Sequence, residues 1–275
     1  MNNLLIYTLN WNGADKLRKL YPSLMNSLKN IEYEWYVKDN GSTDDSVEYL
    51  KSLNNDRIHV VAYKNNVQNF SQGMNFIFNE SKPNDNDLTM LLNNDVVFGD
   101  TSSINKMIGL MNNSDVGMVG ARLLFTGTDK LQHAGVVFNP RIGMPMHFRA
   151  NEKSDDAAEK NRVFQVVTGA VALTRADLYK NAFKNKSGTC GMDESYHWAF
   201  DDVDLCLAIN VDMKKKVIYC GGTKIFHEES ATLKKNPANK LFMSHNVLYF
   251  KKKWDGRYNV DQAAYSNDPK YNLYK

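Results

Sequence analysis

The chain has 275 residues, enough for one large domain or two small ones with a substantial core. Hydrophobic residues make up 43% and charged residues 24%, as in an ordinary soluble globular protein, and a net charge of +3 is too mild to argue for nucleic acid. No apolar run approaches the roughly 18 residues of a membrane span and no basic start precedes an apolar core, so no span or signal peptide is expected and cytoplasmic residence is the default.

In chain order, Leu4 to Leu9 reads as a buried strand, followed by the loop Asn10-Trp11-Asn12-Gly13. Leu17, Leu20, Tyr21, Leu24 and Leu28 recur at helical spacing. Glu34 to Lys38 is a second strand, ending at Asp39-Asn40-Gly41-Ser42-Thr43-Asp44. A helix with Val47, Leu50 and Leu53 comes next, with Ser42 and Asp45 as its capping pair. Ile58 to Tyr63 is a third strand, Gln72 to Asn79 a helix, and Leu88 to Leu92 a fourth strand. Ile104, Met107, Ile108 and Met111 share one face of a further helix.

This alternation predicts an α/β fold, a mostly parallel sheet with helices on both faces. Neither GxGxxG nor GxxxxGK[ST] occurs, so a dinucleotide fold and a P-loop lose support. The second half is less regular. Short strands are expected at Val116–Val119, Leu123–Phe125, Val136–Phe138, Phe164–Val167 and Val171–Leu173, and again at Val217–Cys220 and Lys224–Phe226. Val203 to Ile209 and Ala238 to Trp254 read as helices, the second ending in Lys251-Lys252-Lys253, where cations suit the helix dipole. The tail after Gly256 is polar and Tyr-rich. Cys190, Cys206 and Cys220 have no CxxC spacing and read as reduced, buried small hydrophobes.

Four polar clusters fall at strand ends or helix starts. Asn93-Asn94-Asp95 breaks two apolar runs, where open α/β sheets bind ligands, and one carboxylate among amides suits a hard cation. A polar turn between strands looks the same. Asp39 and its loop can accept hydrogen bonds from a base or ribose while also forming a turn and cap. Asp201, Asp202 and Asp204 crowd one helix start; dipole compensation explains two acids, and repulsion among adjacent acids suits a general base. Tyr196, Trp198 and Phe200 upstream shape a pocket or pack a core. His227 is either a structural histidine or a partner of Asp95 on a metal.

In order and character, these clusters resemble the family 2 glycosyltransferases of GT-A fold across roughly residues 3 to 255. The resemblance is carried by Thr8-Leu9-Asn10-Trp11-Asn12 and Asp39-Asn40-Gly41-Ser42-Thr43-Asp44. Asn69-Phe70-Ser71-Gln72-Gly73-Met74-Asn75, Thr168-Gly169-Ala170 and Asp201-Asp202-Val203-Asp204-Leu205 continue it. Gln132-His133-Ala134-Gly135 resembles a segment of the rhamnosyltransferase-like branch. Two departures stand out: Asn93 replaces the first acid of the DxD motif, and Asp201 replaces a Glu.

The resemblance implies an inverting transfer from a nucleotide-diphosphate sugar to a hydroxyl of a glycan or lipid-linked acceptor, in polysaccharide or glycoconjugate synthesis. It implies donor contacts from Thr8, Asn10, Asp39, Asn40, Asn75, Asn93, Asn94 and Asp95. Mn²⁺ or Mg²⁺ falls on Asp95 and His227, and the acceptor side on Gly169, Ala170, Trp198 and Asp201. Asp202 takes the role of catalytic base. Residues 1–115 form the donor half, 116–255 the acceptor and catalytic half, and 256–275 a tail. Lys-rich stretches such as Lys251-Lys252-Lys253 are solvated faces or peripheral contacts with anionic lipid. The alternatives are a glycosyltransferase acting on modified DNA, a sugar nucleotidyltransferase and a non-catalytic carbohydrate-binding relative.

Overall fold

The computed structural model describes residues 3–62, 67, 69–183, 191–197, 199–228 and 238–275. In chain order these form β1 (Leu4–Asn10), α1 (Ala14–Ser27), β2 (Tyr33–Asp39), α2 (Ser46–Ser52), β3 (Ile58–Ala62), α3 (Phe70–Ser81), β4 (Leu88–Leu92), β5 (Val96–Phe98) and α4 (Ser103–Met111). The second half forms β6 (Val116–Phe125), β7 (Leu131–His133), β8 (Val136–Phe138), β9 (Pro145–His147), β10 (Arg162–Phe164), β11 (Val171–Arg175), α5 (Ala176–Ala182), α6 (Asp201–Leu207), β12 (Lys216–His227), α7 (Ala238–Trp254) and α8 (Gln262–Asn267).

One large sheet runs β10-β12-β6-β11-β4-β1-β2-β3, with β5 added to β12 and β7 to β6. The β4-β1-β2-β3 half is parallel, as βαβ crossovers require. β11 runs antiparallel between β4 and β6, and β12 is parallel to β6. Alternate residues of β1 feed two cores. Leu4 and Ile6 pack with Leu17, Leu20 and Leu24 of α1, whereas Leu5 and Tyr7 pack with Met74, Ile77 and Phe78 of α3.

This topology positions the polar clusters. The carboxyl ends of β1, β2, β4 and β12 and the amino end of the reversed β11 lie at one edge of the sheet. The loops after β1, β2 and β4, the turn Thr168-Gly169-Ala170 and His227 therefore meet there.

Several boundaries differ from expectation. Lys216 to His227 is one continuous strand rather than two, because Gly221-Gly222 is absorbed as an irregularity in its pairing with β6. The helix after Phe200 opens at Asp201 and continues as a π-helical turn over Ala208–Asp212. α2 is not capped by Ser42. Asp44 instead accepts from the N–H and hydroxyl of Ser46, and Ser42 turns back to Asp39. The residues after Trp254 fold onto the sheet edge: Tyr265 is buried in the core and the Val163 N–H donates to the Asn272 carbonyl. Cys206 and Cys220 are buried free thiols, and Cys190 lies outside the described residues. Among the described residues no helix is long and apolar enough to cross a membrane.

Candidate functional site

The β1 and β2 ends pair Asn10 with Asp39 in register. Nδ2 of Asn10 donates to Oδ1 of Asp39 at 3.0 Å, and Oδ1 of Asn10 accepts from Nδ2 of Asn94 at 2.8 Å. The three residues thus form a relay across β2, β1 and the loop after β4. Gly13 makes that relay possible, since a Cβ there would lie 2.4 Å from Oδ1 of Asn10 and 2.5 Å from Nδ2 of Asn94. Ser42 ties the loops together, donating to Asp39 at 2.6 Å and accepting from the Asn12 N–H at 2.8 Å. Trp11, between them, is 55% exposed.

The antiparallel pairing of β5 and β12 sets His227 opposite Val96, beside Asp95. Nε2 of His227 lies 3.0 Å from Oδ1 of Asp95, and Nδ1 lies 2.7 Å from Oε1 of Gln132. Nδ2 of Asn93 lies 3.3 Å from the same Nε2, so that ring nitrogen faces both the Asn93 amide and the Asp95 carboxylate. A carboxylate oxygen and an oriented imidazole suit Mn²⁺ or Mg²⁺ with further positions left for phosphate oxygens. Among the described residues no group of three or more His, Cys, Asp or Glu is placed to hold a metal.

Nζ of Lys16 lies 3.6 Å from the other Asp95 oxygen. One turn later, Nζ of Lys19 meets Oε1 of Glu228 at 2.7 Å. Nothing in the sequence distinguishes these lysines from a solvated helix face.

The Asn93 N–H donates to the Ala170 carbonyl at 2.9 Å, which joins the β4 end to the turn before β11. The next N–H of that turn, from Gly169, donates to Oδ2 of Asp202 at 2.9 Å. Asp202 thereby lies two short steps from the Asp95–His227 pair.

The structure separates the acids of α6. Asp204 is buried in a cage: Nζ of Lys253 at 2.8 Å, Nε1 of Trp254 at 2.6 Å and the Tyr196 hydroxyl at 3.0 Å all donate to it. Lys253 also meets Asp193 at 2.8 Å. Asp201 is buried, and desolvation together with the adjacent Asp202 pushes its carboxyl up to about 7. Asp202 is the partly exposed member.

Three expected donor contacts are occupied by the protein itself. Thr8 is fully buried and accepts from Nε1 of Trp35 at 3.0 Å. The Asn75 amide is saturated: it accepts from the Tyr179 hydroxyl and the Met192 N–H, and donates to the Met192 carbonyl and Glu194. Asn40 pairs with both backbone groups of Val67. Each of these side chains fixes a loop that borders the site. Trp198 lies outside the described residues, and its neighbours His197 and Ala199 are held by the buried amide of Asn246.

The chain is 26% identical over 268 residues to the uncharacterized protein y4gI of Sinorhizobium fredii, covering 92% of this chain and 28% of that protein. It is 30% identical over 153 residues to the O-antigen biosynthesis protein RfbC of Myxococcus xanthus, covering 53% of this chain and 11% of that one. The chain thus spans a minor part of the length of either relative. The S. aureus TarS 1-349 structure in complex with UDP-GlcNAc superposes with a TM-score of 0.62 at 11% identity, covering 96% of this chain and 69% of that one. The Pyrobaculum calidifontis mannosyltransferase PcManGT, in complex with GDP-Man and Mn²⁺, gives 0.57 at 9% identity, with coverages of 96% and 78%. These structures share the fold, and the sequence profile of one family covers residues 6–183, well over half of the chain, so this chain belongs to glycosyl transferase family 2.

Proposed function

We propose that the chain transfers a sugar, with inversion, from a nucleotide-diphosphate donor to an acceptor hydroxyl in the assembly of a surface glycan or lipid-linked glycoconjugate. The observation that carries this reading is the backbone bond from Asn93 to Ala170, which joins the loop that carries Asp95 to the turn whose Gly169 N–H donates to Asp202. A charge-stabilising group for a leaving diphosphate and a carboxylate base are the two devices that such a transfer needs.

In this reading, Asp39, Asn10 and Asn94 form the polar floor under the nucleoside, with Ser42 and Asn40 holding the loops around it. Asp95 and His227, the ring of His227 held by Gln132, would hold Mn²⁺ or Mg²⁺. Such an ion, when bound, supplies positive charge to the diphosphate oxygens. Asp202, its carboxylate oriented by the Gly169 N–H, takes the proton of the acceptor hydroxyl. The acceptor oxygen bonds to the anomeric carbon as the bond to the diphosphate oxygen breaks on the opposite face, and the nucleoside diphosphate leaves. Gly169, Ala170 and the uncharged form of Asp201 line the acceptor side. Thr8 and Asn75 act by holding β1 and the 191–196 segment in place.

The support for the donor class is the family, together with fold neighbours solved with UDP-GlcNAc and with GDP-Man and Mn²⁺. The support for a surface glycan is the O-antigen biosynthesis relative. The support for the rhamnosyltransferase-like branch is the resemblance of the Gln132-His133-Ala134-Gly135 segment alone.

The test is a panel of nucleotide sugars with Mn²⁺ or Mg²⁺, scored for metal-dependent thermal stabilisation and slow donor hydrolysis. One donor should respond. Asp202→Asn should keep donor binding and lose turnover by about 10²–10⁴-fold, the usual contribution of a general base. A folded protein that stabilises no donor, or an Asp202→Asn variant of normal turnover, would overturn the assignment.

A further inference from the structure

We infer that His133 is a positioning residue for Asp202: it holds the Thr168 N–H, and through it the turn whose next N–H orients the carboxylate. The inference deepens the proposed reading and rests on Asp202 being the base.

Consecutive side chains of β7 face opposite ways. Gln132 turns to His227, with Oε1 2.7 Å from Nδ1. His133 turns to the other face, where it is fully buried and its Nε2 accepts the Thr168 N–H at 3.4 Å. One short strand thus reaches both halves of the proposed site.

The N–H groups of the turn Thr168-Gly169-Ala170 go to different places. That of Ala170 stays inside the turn, on the Thr168 hydroxyl at 3.4 Å. That of Gly169 goes to Asp202 at 2.9 Å, and that of Thr168 goes to His133. The flanks are pinned by backbone: the Val136 N–H donates to the Val166 carbonyl at 3.1 Å and the Asn93 N–H to the Ala170 carbonyl at 2.9 Å. The middle of the turn is left to His133 and Asp202. Backbone N–H groups away from water keep a partner, so a Thr168 N–H that loses the ring rotates toward another acceptor. The Gly169 N–H, one peptide along, moves with it and carries the Asp202 carboxylate off its line.

The chemistry of the ring fixes where its hydrogen sits. A backbone N–H only donates, so Nε2 of His133 is the bare nitrogen. Burial, and then the nearby rings of His147 and His227, push His133 well below the ordinary histidine range. The ring is therefore neutral and its hydrogen is on Nδ1. That Nδ1 lies 2.9 Å from Nδ1 of His147, an exposed residue that the β8–β9 pairing sets opposite Val136. His147 accepts the hydrogen, so the outer histidine selects the tautomer in which the inner one can hold the turn.

The experiment uses the full chain. Ring ¹⁵N–¹H spectra at about pH 6, where an ordinary histidine is largely charged, should show His133 neutral with its hydrogen on Nδ1. A charged ring, or a hydrogen on Nε2, would overturn the inference whatever the chain catalyses. Turnover is then followed as slow hydrolysis of the nucleotide sugar selected by the donor panel, and donor-side affinity by calorimetry with UDP, dTDP and GDP as probes. His133→Phe keeps a ring but removes the acceptor, and should lower turnover about tenfold with nucleoside-diphosphate affinity unchanged. His133→Gln, whose amide reaches the place of Nε2, should restore most of that loss. In an Asp202→Asn background, His133→Phe should cost less than about twofold more, because a positioning residue acts through the group it positions. His147→Ala, at an exposed site that does not threaten the fold, should lower turnover about threefold and mix the two His133 tautomers in the spectra. Normal turnover in His133→Phe and His147→Ala, or an equal fractional loss with and without the Asp202 carboxylate, would overturn the role of His133 and leave the glycosyltransferase reading intact. Normal turnover in Asp202→Asn would overturn the base assignment, and this inference with it.

Discussion

The Asp202 carboxylate and the Gly169 backbone are in contact with no room between them: the N–H donates to Oδ2 at 2.9 Å, and a Cβ on residue 169 would lie 3.1 Å from the Asp202 Cβ. A methyl group at 169 would therefore shift the Asp202 side chain by a few tenths of an ångström rather than remove it. With Asp202 as the base proposed above, Gly169→Ala should lower turnover by about tenfold to a hundredfold, because small displacements of a reacting group are costly, and should leave donor affinity unchanged. Turnover and calorimetric donor binding on the same preparation check both halves. A parallel loss of donor affinity would mean that the turn, rather than the base, had been disturbed.

Gly13→Ala should act on the donor side instead. The new Cβ would collide with the amides of Asn10 and Asn94 and separate them. Overpacking of this kind costs about 1–3 kcal/mol, and the Asp39–Asn10–Asn94 relay would lose a link. A lower midpoint of chemical denaturation together with weaker nucleotide binding is the expected pair of results.

Lys253→Met should destabilise the fold strongly. The substitution keeps most of the volume but leaves Asp193 and Asp204 buried without their ammonium partner. Burial raises Asp204 and works against the charge of both acids, while Lys253 pulls Asp193 below the usual carboxylate range. Breaking a buried pair from one side costs about 3–5 kcal/mol. Denaturation of Lys253→Met against Lys252→Met, an exposed neighbour on the same helix, isolates the buried contribution.

Asp201 predicts a pH dependence of stability. Its carboxyl is pushed up to about 7, chiefly by desolvation and then by Asp202. The unfolded chain releases that proton near the ordinary value of about 3.9. Between these values the folded state binds more protons than the unfolded state, so the contribution of Asp201 is full below pH about 4 and is lost as pH rises toward about 7. Asp201→Asn stays neutral throughout. Its melting temperature should gain on wild type as pH rises from 4.5 to 8, and the two should converge at the acid end. Parallel curves would place the charge of Asp201 elsewhere.

Much of the first half of the chain was legible because its signals are local. A buried parallel strand shows itself as a continuous apolar run, and Leu88 to Leu92 ends where Asn93-Asn94-Asp95 begins. Asp39 closes β2 in the same way, and the alternating β and α segments imply that both ends lie at one edge. Other local signals misled. Gly221-Gly222 reads as a turn, yet long-range pairing with β6 carries β12 through it. Asn75 and Thr8 carry groups suited to a nucleotide, but a small polar side chain does not state whether its partner will be ligand or protein. Here the partners are Tyr179, Met192 and Glu194 for Asn75 and Trp35 for Thr8.

By itself, the sequence determined the elements, the parallel character of the first sheet half and the residue types available at its edge, since these follow from periodicity and from the polar breaks that end each apolar run. Only the tertiary structure decided which of those residues act together. The β5–β12 register brings His227 to Asp95, and α1 carries Lys16 to 3.6 Å from the same carboxylate. Among three neighbouring acids, Lys253 and Trp254 enclose Asp204, burial raises Asp201, and Asp202 is left partly exposed with a bond from the Gly169 N–H. The reason is physical: the charge and exposure of a side chain depend on desolvation and on partners supplied by distant segments, and neither is a property of its neighbours in sequence.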